Sequence, residues 1–272
     1  MGPHCGQRGK GYNRNLWLRT MHPLVFLLFG ISIGAIGSFL GIGGGTIAVP
    51  VLYFIMGLEI HEAIALSTAM VFLTSISGGI AHKRAGNLDF RTSVLVSSPG
   101  LLTVILTSYS FPRMNPWILE LAIGSCLLIA SLRMFRQAIS EKIGEKATFK
   151  RIDGKKAIAL KLVLGLVVGG VVGMTGTGGG FVLVPAFTLL LGMEVRKAVG
   201  TSLVSFMPLA FFSTLAKLSQ GFLNLSYALP LGIGVVMGAQ LGARAVEIAK
   251  PWMIKLIFSL LLMGISLRLL LP

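Results

Sequence analysis

Acidic residues are scarce, nine Asp and Glu against 24 Lys and Arg in 272 residues, and charged residues of both signs make up 12% of the chain. Those acids are Glu59, Glu62, Asp89, Glu120, Glu141, Glu145, Asp153, Glu194 and Glu247, and none stands in the middle of a long apolar run. Cation pumps and proton relays place a carboxylate at membrane depth, so coupling through a buried acid is not expected. Cysteine is nearly absent: Cys5 lies in a polar stretch and Cys126 inside an apolar run, too far apart in kind for a disulfide framework or a thiolate metal cluster. No metal site and no cofactor are expected. Enzyme signatures are missing as well. His61-Glu62 lacks the second His of H-E-x-x-H, no Ser/His constellation is present, and His61 and His82 flank apolar runs, where an interfacial place is commoner than a catalytic one. No glycine run carries the Lys-Ser/Thr of a P-loop or completes G-x-G-x-x-G after a strand, which excludes a nucleotide fold.

What the chain has in abundance is apolar surface, 54% of residues, with a mean hydropathy of +0.84. That leaves too little polar surface to cover a soluble globule, so the solvent of the fold is lipid. The net charge of +15 does not indicate nucleic acid, because the cations fall between apolar runs rather than on one face; they read as loops of the positive-inside kind. Residues 1–22 are polar, Gly-rich and basic, with Arg8, Lys10, Arg14 and Arg19, and are expected to form a disordered tail outside the core. Met21 stands directly before the first apolar run, where a second translation start would fall. Gly6 breaks the myristoylation pattern, and the many later apolar segments argue against a cleaved signal peptide.

Apolar runs cover roughly 24–40, 62–81, 92–111 and 117–135, then 157–173, 198–216, 226–246 and 252–271, each near the ~20 residues a spanning helix needs. The two sets are related. Gly41, Gly43, Gly44, Gly45, Val49, Pro50, Gly57, Glu59, Ala63 and Ser67 recur without a gap, 135 positions on, as Gly176, Gly178, Gly179, Gly180, Val184, Pro185, Gly192, Glu194, Ala198 and Ser202. Ala81, Gly86, Leu88, Pro116, Trp117 and Arg133 keep the same offset to Ala216, Gly221, Leu223, Pro251, Trp252 and Arg268. The expected organisation is a tail (1–22), a first repeat (23–135), a cytoplasmic linker (136–156) and a second repeat (157–272). The fold class is an all-α polytopic membrane protein, with about four transmembrane helices and one re-entrant segment per repeat.

The re-entrant segments are 46–57 and 181–192, about twelve residues each, short for a crossing. If each returns to the side it entered, Lys83, Arg84, Arg91 and the linker all face the cytoplasm with both termini, and the repeats are parallel. Arg196, Lys197, Arg244 and Lys250 fit that arrangement poorly, since it puts them outside; an inverted arrangement with ten crossings is the alternative.

Before each short segment stands a glycine cluster, Gly41-Ile42-Gly43-Gly44-Gly45-Thr46 and Gly176-Thr177-Gly178-Gly179-Gly180-Phe181. A helix broken by glycines within a membrane frees backbone N–H groups that hydrocarbon cannot satisfy, so the break must be buried in protein or line a wet cavity. Successive free N–H groups make an anion nest. Short helices starting near Thr46 and Phe181, with Pro50 and Pro185 in their first turns, would aim positive dipole ends at the break. The expected anion site is therefore the backbone of Gly43, Gly44, Gly45, Gly178, Gly179 and Gly180, with hydroxyls from Thr46, Thr177, Ser67 and Ser202 as further donors. Self-bonding to the backbone or a neighbouring helix is an equal role for those hydroxyls. Small-residue pairs such as Gly37/Gly41, Gly169/Gly173 and Gly234/Gly238/Gly242 read instead as helix contacts.

With GIGGGTIAVP and GTGGGFVLVP each followed by an A-(I/V)-(A/G)-(L/T)-S stretch at 63–67 and 198–202, the chain resembles the TauE/SafE family of sulfite exporters over about 24–271. The resemblance implies an all-helical inner-membrane protein carrying one motif copy in each half and exporting sulfite, organosulfonates or related small anions. One departure is visible: Thr103, Val104, Thr107 and Ser108 stand where the second half has Gly238-Ala239 and Gly242-Ala243, so close helix packing is not expected there. The function read from the sequence is secondary export of a small anion, with membrane lipid as the other partner and without nucleic acid. The competing reading is a membrane assembly subunit with no transport of its own.

Overall fold

The computed structural model describes residues 23–110, 128, 131–132, 134–143 and 154–270. The tail, most of the apolar run at 117–135 and much of the linker lie outside these. Among the described residues every regular element is helical: α1 (Pro23–Leu40), α2 (Gly45–Pro50) continued by a π-helical turn (Val51–Ile55), α3 (Ile60–Arg84), α4 (Phe90–Ser110), α5 (Lys155–Thr175), α6 (Gly180–Leu189), α7 (Val195–Ser219), α8 (Leu225–Ile248) and α9 (Pro251–Leu270). The starts follow local rules. Proline opens α1 and α9, where its missing N–H costs nothing. Asn224 caps α8 by accepting from the Ser226 amide at 3.1 Å.

Helices α3, α4, α5, α7 and α8 are long and apolar enough to cross a membrane, and Leu24–Leu40, Gly180–Leu189 and Pro251–Gly264 are shorter apolar helices. The faces of α4 show why lipid is the fitting solvent. Leu102, Leu106 and Tyr109 point outward while Thr92, Ser93 and Ser108 are buried, the reverse of a soluble helix.

Backbones approach closely where small residues allow it. A Cβ on Gly238 would stand 2.0 Å from the Ile31 carbonyl oxygen, and one on Gly242 2.0 Å from that of Ala35, so α8 lies directly on α1. The expectation of a looser contact at Thr103 and Thr107 is corrected. There the small residues sit on the partner helix: a Cβ on Gly169 would be 2.2 Å from the Gly100 oxygen, and one on Gly173 2.0 Å from Thr107 Oγ1. Close packing needs only one small member of each facing pair, and α5 supplies it to α4.

Helix directions follow from which ends touch. Gly30 meets Leu231, and Gly242 meets Ala35, so α1 and α8 run parallel; Gly165 meets Val96 and Gly173 meets Val104, so α5 and α4 do too. Along α3 and α8, Gly232 meets Leu73 and Ser77 donates to the Val236 carbonyl at 2.8 Å. Along α4 and α7, Ser93 donates to the Thr201 carbonyl at 3.1 Å and Ser108 bonds Ser213 at 3.1 Å. Both pairs are parallel. At the centre α3 and α7 are antiparallel, with Gly78 on Leu203 while Gly200 meets His82 and Asn87.

Two expectations fall with these directions. α1 and α3 point the same way, so residues 41–59 carry the chain from the depth of Ser202, about two turns into α7, back to the end where α1 began, and residues 176–194 do the same from the depth of Thr68 between α5 and α7. The segments are not re-entrant. α2 with its π turn rises ~16 Å and α6 ~15 Å, about half of the ~30 Å of hydrocarbon, as suits short helices that start at a break inside the bundle. Nor are the halves parallel, because α3 and α7, which occupy matching stretches of sequence, run in opposite directions. The prolines also lie deeper than expected: α2 and α6 begin at Gly45 and Gly180, making Pro50 and Pro185 their sixth residues. After Pro50 the helix widens into a π turn, with Met56 N–H on the Val51 carbonyl at 3.0 Å.

Candidate functional site

The glycine clusters turn the chain where α1 and α5 end. Gly41, Gly43 and Gly44 take φ of 72°, 75° and 81°, and Gly176 and Gly178 take 62° and 80°. A side chain in that region costs roughly 1–2 kcal/mol per residue, which favours glycine at these five positions. The two breaks then cross. Gly45 sits against the Gly176 carbonyl and Thr177, and Gly180 against the Gly41 carbonyl and the Ile42 backbone. Hence α2 begins on the second break and α6 begins on the first. Gly43 and Gly178 both lie against Val71, near the middle of α3, and Gly43 also touches Phe206 of α7.

All ten residues expected at the site belong to this crossing. Gly43, Gly44, Gly45, Gly178, Gly179 and Gly180 are buried, and the amides of Gly44, Gly178 and Gly179 have no acceptor among the described residues. Ser67 donates to the carbonyls of Gly176 at 2.8 Å and Gly45 at 3.2 Å. Its counterpart Ser202 donates to Gly41 at 2.8 Å and to Val199 in its own helix at 2.8 Å. Thr46 Oγ1 donates to the Thr177 carbonyl at 3.2 Å, and Thr177 Oγ1 bonds Thr175 Oγ1 at 2.7 Å. The Ser67, Ser202 and Thr46 hydroxyl protons thus go to carbonyl oxygens of the breaks, so among these residues the amides are the donors without an acceptor.

Two buried basic side chains differ from the sequence reading, which put His82 at an interface and passed over Lys217. Lys217 and His82 are each fully buried. Lys217 Nζ donates to the Gly173 carbonyl at 3.0 Å and to Ser213 Oγ at 2.7 Å; the His82 ring nitrogen Nε2 donates to the Ser38 carbonyl at 3.2 Å. Each donor meets the last turns of the helix that precedes a break, where helix carbonyls lack partners and the dipole is negative. A signal was present: Lys217 and His82 are 135 positions apart, directly after the matched Ala216 and Ala81.

Charge divides the bundle by its ends. The end formed by the finish of α3 and α8 and the start of α4, α5, α7 and α9 carries Lys83, Arg84, Arg91, Lys155, Lys156, Lys161, Arg196, Lys197, Arg244, Lys250 and Lys255. Lys255 pairs with Glu141 at 2.7 Å. The opposite end has Glu59 and Glu62, with Lys217 and Arg268 as its cations among the described residues.

At the basic end Asp89 caps α4, accepting from the Thr92 amide at 3.0 Å and the Thr92 hydroxyl at 2.8 Å. Partial burial alone would raise its carboxyl, but the two Thr92 bonds and the charges of Lys161 and Lys197 outweigh it and hold the group below the ordinary carboxylate range. A depressed folded value stabilises the protein above the unfolded value of ~3.9, and that contribution disappears as pH falls through the folded one. Asp89→Ala is expected to cost about 1 kcal/mol at pH 7. In melting curves of the detergent-solubilised protein the gap to wild type should be constant above about pH 5 and narrow as pH falls below ~3.9, and a gap that does not narrow in acid would assign the loss to something other than the carboxylate.

The profile of the family described as sulfite exporter TauE/SafE matches residues 26–269, nearly the whole chain. The chain belongs to that family. Among relatives of this TauE/SafE member, the "probable membrane transporter protein YdhB" of Bacillus subtilis (strain 168) is 23% identical over 85% of the chain and 92% of its own length. The "probable membrane transporter protein MJ0441" of Methanocaldococcus jannaschii is 26% identical over 88% and 92%. A "probable membrane transporter protein" of Xylella fastidiosa (strain Temecula1) is 27% identical over 79% and 80%. No solved structure matches the chain. A membrane transporter family and a set of apolar helices together identify a multi-pass membrane protein.

Proposed function

We propose that this TauE/SafE member is a secondary transporter of the inner membrane that exports a small anion such as sulfite or an organosulfonate, held where the two glycine breaks cross. The observation that carries the reading is the crossing itself. The buried amides of Gly44, Gly178 and Gly179, without an acceptor among the described residues, belong to two breaks that touch where α2 and α6 begin, and neither run carries an acid. Buried donors of that kind favour an anion and disfavour a cation. The two halves act as inverted repeats in this reading: α3 and α7 are equal in length at the 135-residue offset and antiparallel, so the axis relating them lies in the membrane plane. Rocking of one repeat against the other would expose the crossing to either face in turn.

The positive-inside rule orients the bundle with its basic end in the cytoplasm. That choice gathers Arg196, Lys197, Arg244 and Lys250 with Lys83, Arg84 and Arg91 on one side, and it puts the start of α1 and the finish of α9 outside, opposite to the orientation expected from the sequence. An inside-negative potential then drives anion efflux by about 2.3 kcal/mol per charge per 100 mV, so no nucleotide site is needed.

The test is uptake into everted vesicles of labelled sulfite, sulfate, a sulfonate and acetate under an inside-positive potential. The same vesicles carry Asn87→Cys in a cysteine-free background, treated with an impermeant thiol reagent to fix sidedness. One sulfur oxyanion should accumulate, Thr177→Val should slow its uptake at unchanged protein level, and the introduced thiol should label from the exposed cytoplasmic face. Accumulation of none of the four anions would refute the exporter reading, and an unlabelled thiol at position 87 would refute the orientation.

A further inference from the structure

At the basic end the first turns of α4, α5 and α7 surround a cavity of about 560 Å³. Arg91, Lys161 and Lys197 line it, one from each helix, with Asp89 and Glu194 also on the wall. Three helix N-termini add their partial positive charge to three side-chain cations. Asp89 and Glu194 offset part of that charge, Asp89 through Lys161 and Lys197 themselves, and one side-chain cation remains in excess. Lys161 Nζ donates to Thr92 Oγ1 at 2.7 Å, which uses one of its three donors and points the ammonium along the wall. The loop 191–194 that closes the cavity is the continuation of α6, and α6 begins at the glycine crossing. A helix of that length spans ~15 Å, so one short element joins the cavity to the crossing.

A basic rim can be mere solvated surface, and the opposite end of the same molecule shows what the scaffold looks like without this feature. Counting back or forward by 135, the positions of Arg91, Lys161 and Lys197 correspond to Ser226, Phe26 and Glu62. The Lys161–Thr92 hydrogen bond is replaced there by Phe26 stacked on Tyr227, ring centroids 5.5 Å apart. One end is an open cationic cavity; its counterpart is filled by two rings and flanked by Glu59 and Glu62. Packing needs alone would not require the two ends to differ in this way.

We propose that the cavity is an oxyanion-binding vestibule, where a sulfur or phosphorus oxyanion is captured on the basic face before it passes along α6 to the crossing. The acidic counterpart repels the same anion at the exit, which biases loading toward one face. The vestibule's place on a path rests on the transporter reading above; oxyanion binding does not. A free anion and a lipid phosphate share this chemistry, and the experiment must separate them.

The experiment is calorimetric titration of sulfate, and melting with sulfate against chloride at matched ionic strength, on the full chain in uncharged detergent. Wild type should bind sulfate and melt higher in it. Loss of two charge-assisted contacts in Arg91→Gln/Lys197→Gln should weaken sulfate at least about tenfold, while Glu62→Gln should bind as wild type does. Both substitutions lie on exposed side chains, and unchanged chromatographic behaviour verifies folding. In everted vesicles the double variant should raise the KM for the transported anion and keep the maximal rate. Equal sulfate affinity in wild type and double variant overturns the vestibule. Stabilisation by phosphatidylglycerol without any by sulfate or sulfite overturns it too, in favour of a lipid headgroup. Sulfate binding that the double variant loses, in vesicles that move no anion, upholds the oxyanion site and removes the transporter reading; transport at wild-type KM in the double variant removes the vestibule alone.

Discussion

Gly180→Ala is expected to abolish transport and most of the folded yield. The added Cβ would lie 1.9 Å from the Gly41 carbonyl oxygen and 2.5 Å from the Ile42 Cα, both backbone atoms of the other break. Neither can swing aside, since Gly41 is tied through its carbonyl to Ser202. Overpacking of an ordinary core costs about 1–3 kcal/mol because side chains can shift; two crossing backbones have no such freedom, so the loss should exceed that range. Gly45→Ala meets the mirror situation, 2.6 Å from the Gly176 oxygen, and should behave alike. Gly86→Ala and Gly221→Ala supply the control. Both glycines have positive φ with nothing within 4 Å, so each should cost only the ~1–2 kcal/mol of the left-handed backbone. Elution profiles and melting curves of the solubilised variants measure the difference. Wild-type melting of Gly180→Ala would mean that the breaks do not cross as described.

Lys217→Met should destabilise the protein by about 2 kcal/mol, and Lys217→His should recover much of that loss. Methionine keeps the length but takes the donor from the Gly173 carbonyl and from Ser213, at the negative end of α5. Relief from burying an amine works in the opposite direction. The hydrogen bonds are expected to prevail, because two buried acceptors would be left without this donor. Histidine is the residue that performs the same task on Ser38 at position 82, so the first half already contains the replacement. Melting temperatures ranked wild type, His, Met would support a latch on the broken helix; a Met variant as stable as wild type would reduce Lys217 to a buried bystander.

Much of the membrane fold was legible in one dimension. Hydropathy depends only on composition along the chain, so apolar runs located α1, α3, α4, α5, α7, α8 and α9 to within a few residues. The glycine clusters announced the breaks because few other residues tolerate that backbone. The 135-residue offset matched the bounds of α3 and α7 residue for residue. Pro50 and Pro185 misled by about one turn, since proline preference for first turns is a tendency; a π turn follows Pro50, whereas Pro185 sits inside an ordinary α-helix.

Direction was a different matter. A short apolar segment can return or cross, and its length alone favoured returning to the side where the preceding helix ends; that it starts at a break inside the bundle is invisible to hydropathy. Which helices pair was equally hidden, because α1 lies on α8 and α5 on α4 through complementary small residues far apart in sequence. His82 looked peripheral, and Lys217 drew no reading, for the same reason: in the chain they flank apolar runs, and only neighbouring helices bury them. The sequence by itself determined that this protein lives in lipid, where its helices lie and where two of them break, since those properties reside in composition and local backbone freedom. Only the tertiary structure decided that the breaks cross, that the central helices oppose each other and that the cations share one end, because these depend on contacts between residues that nothing in the chain's local order brings together.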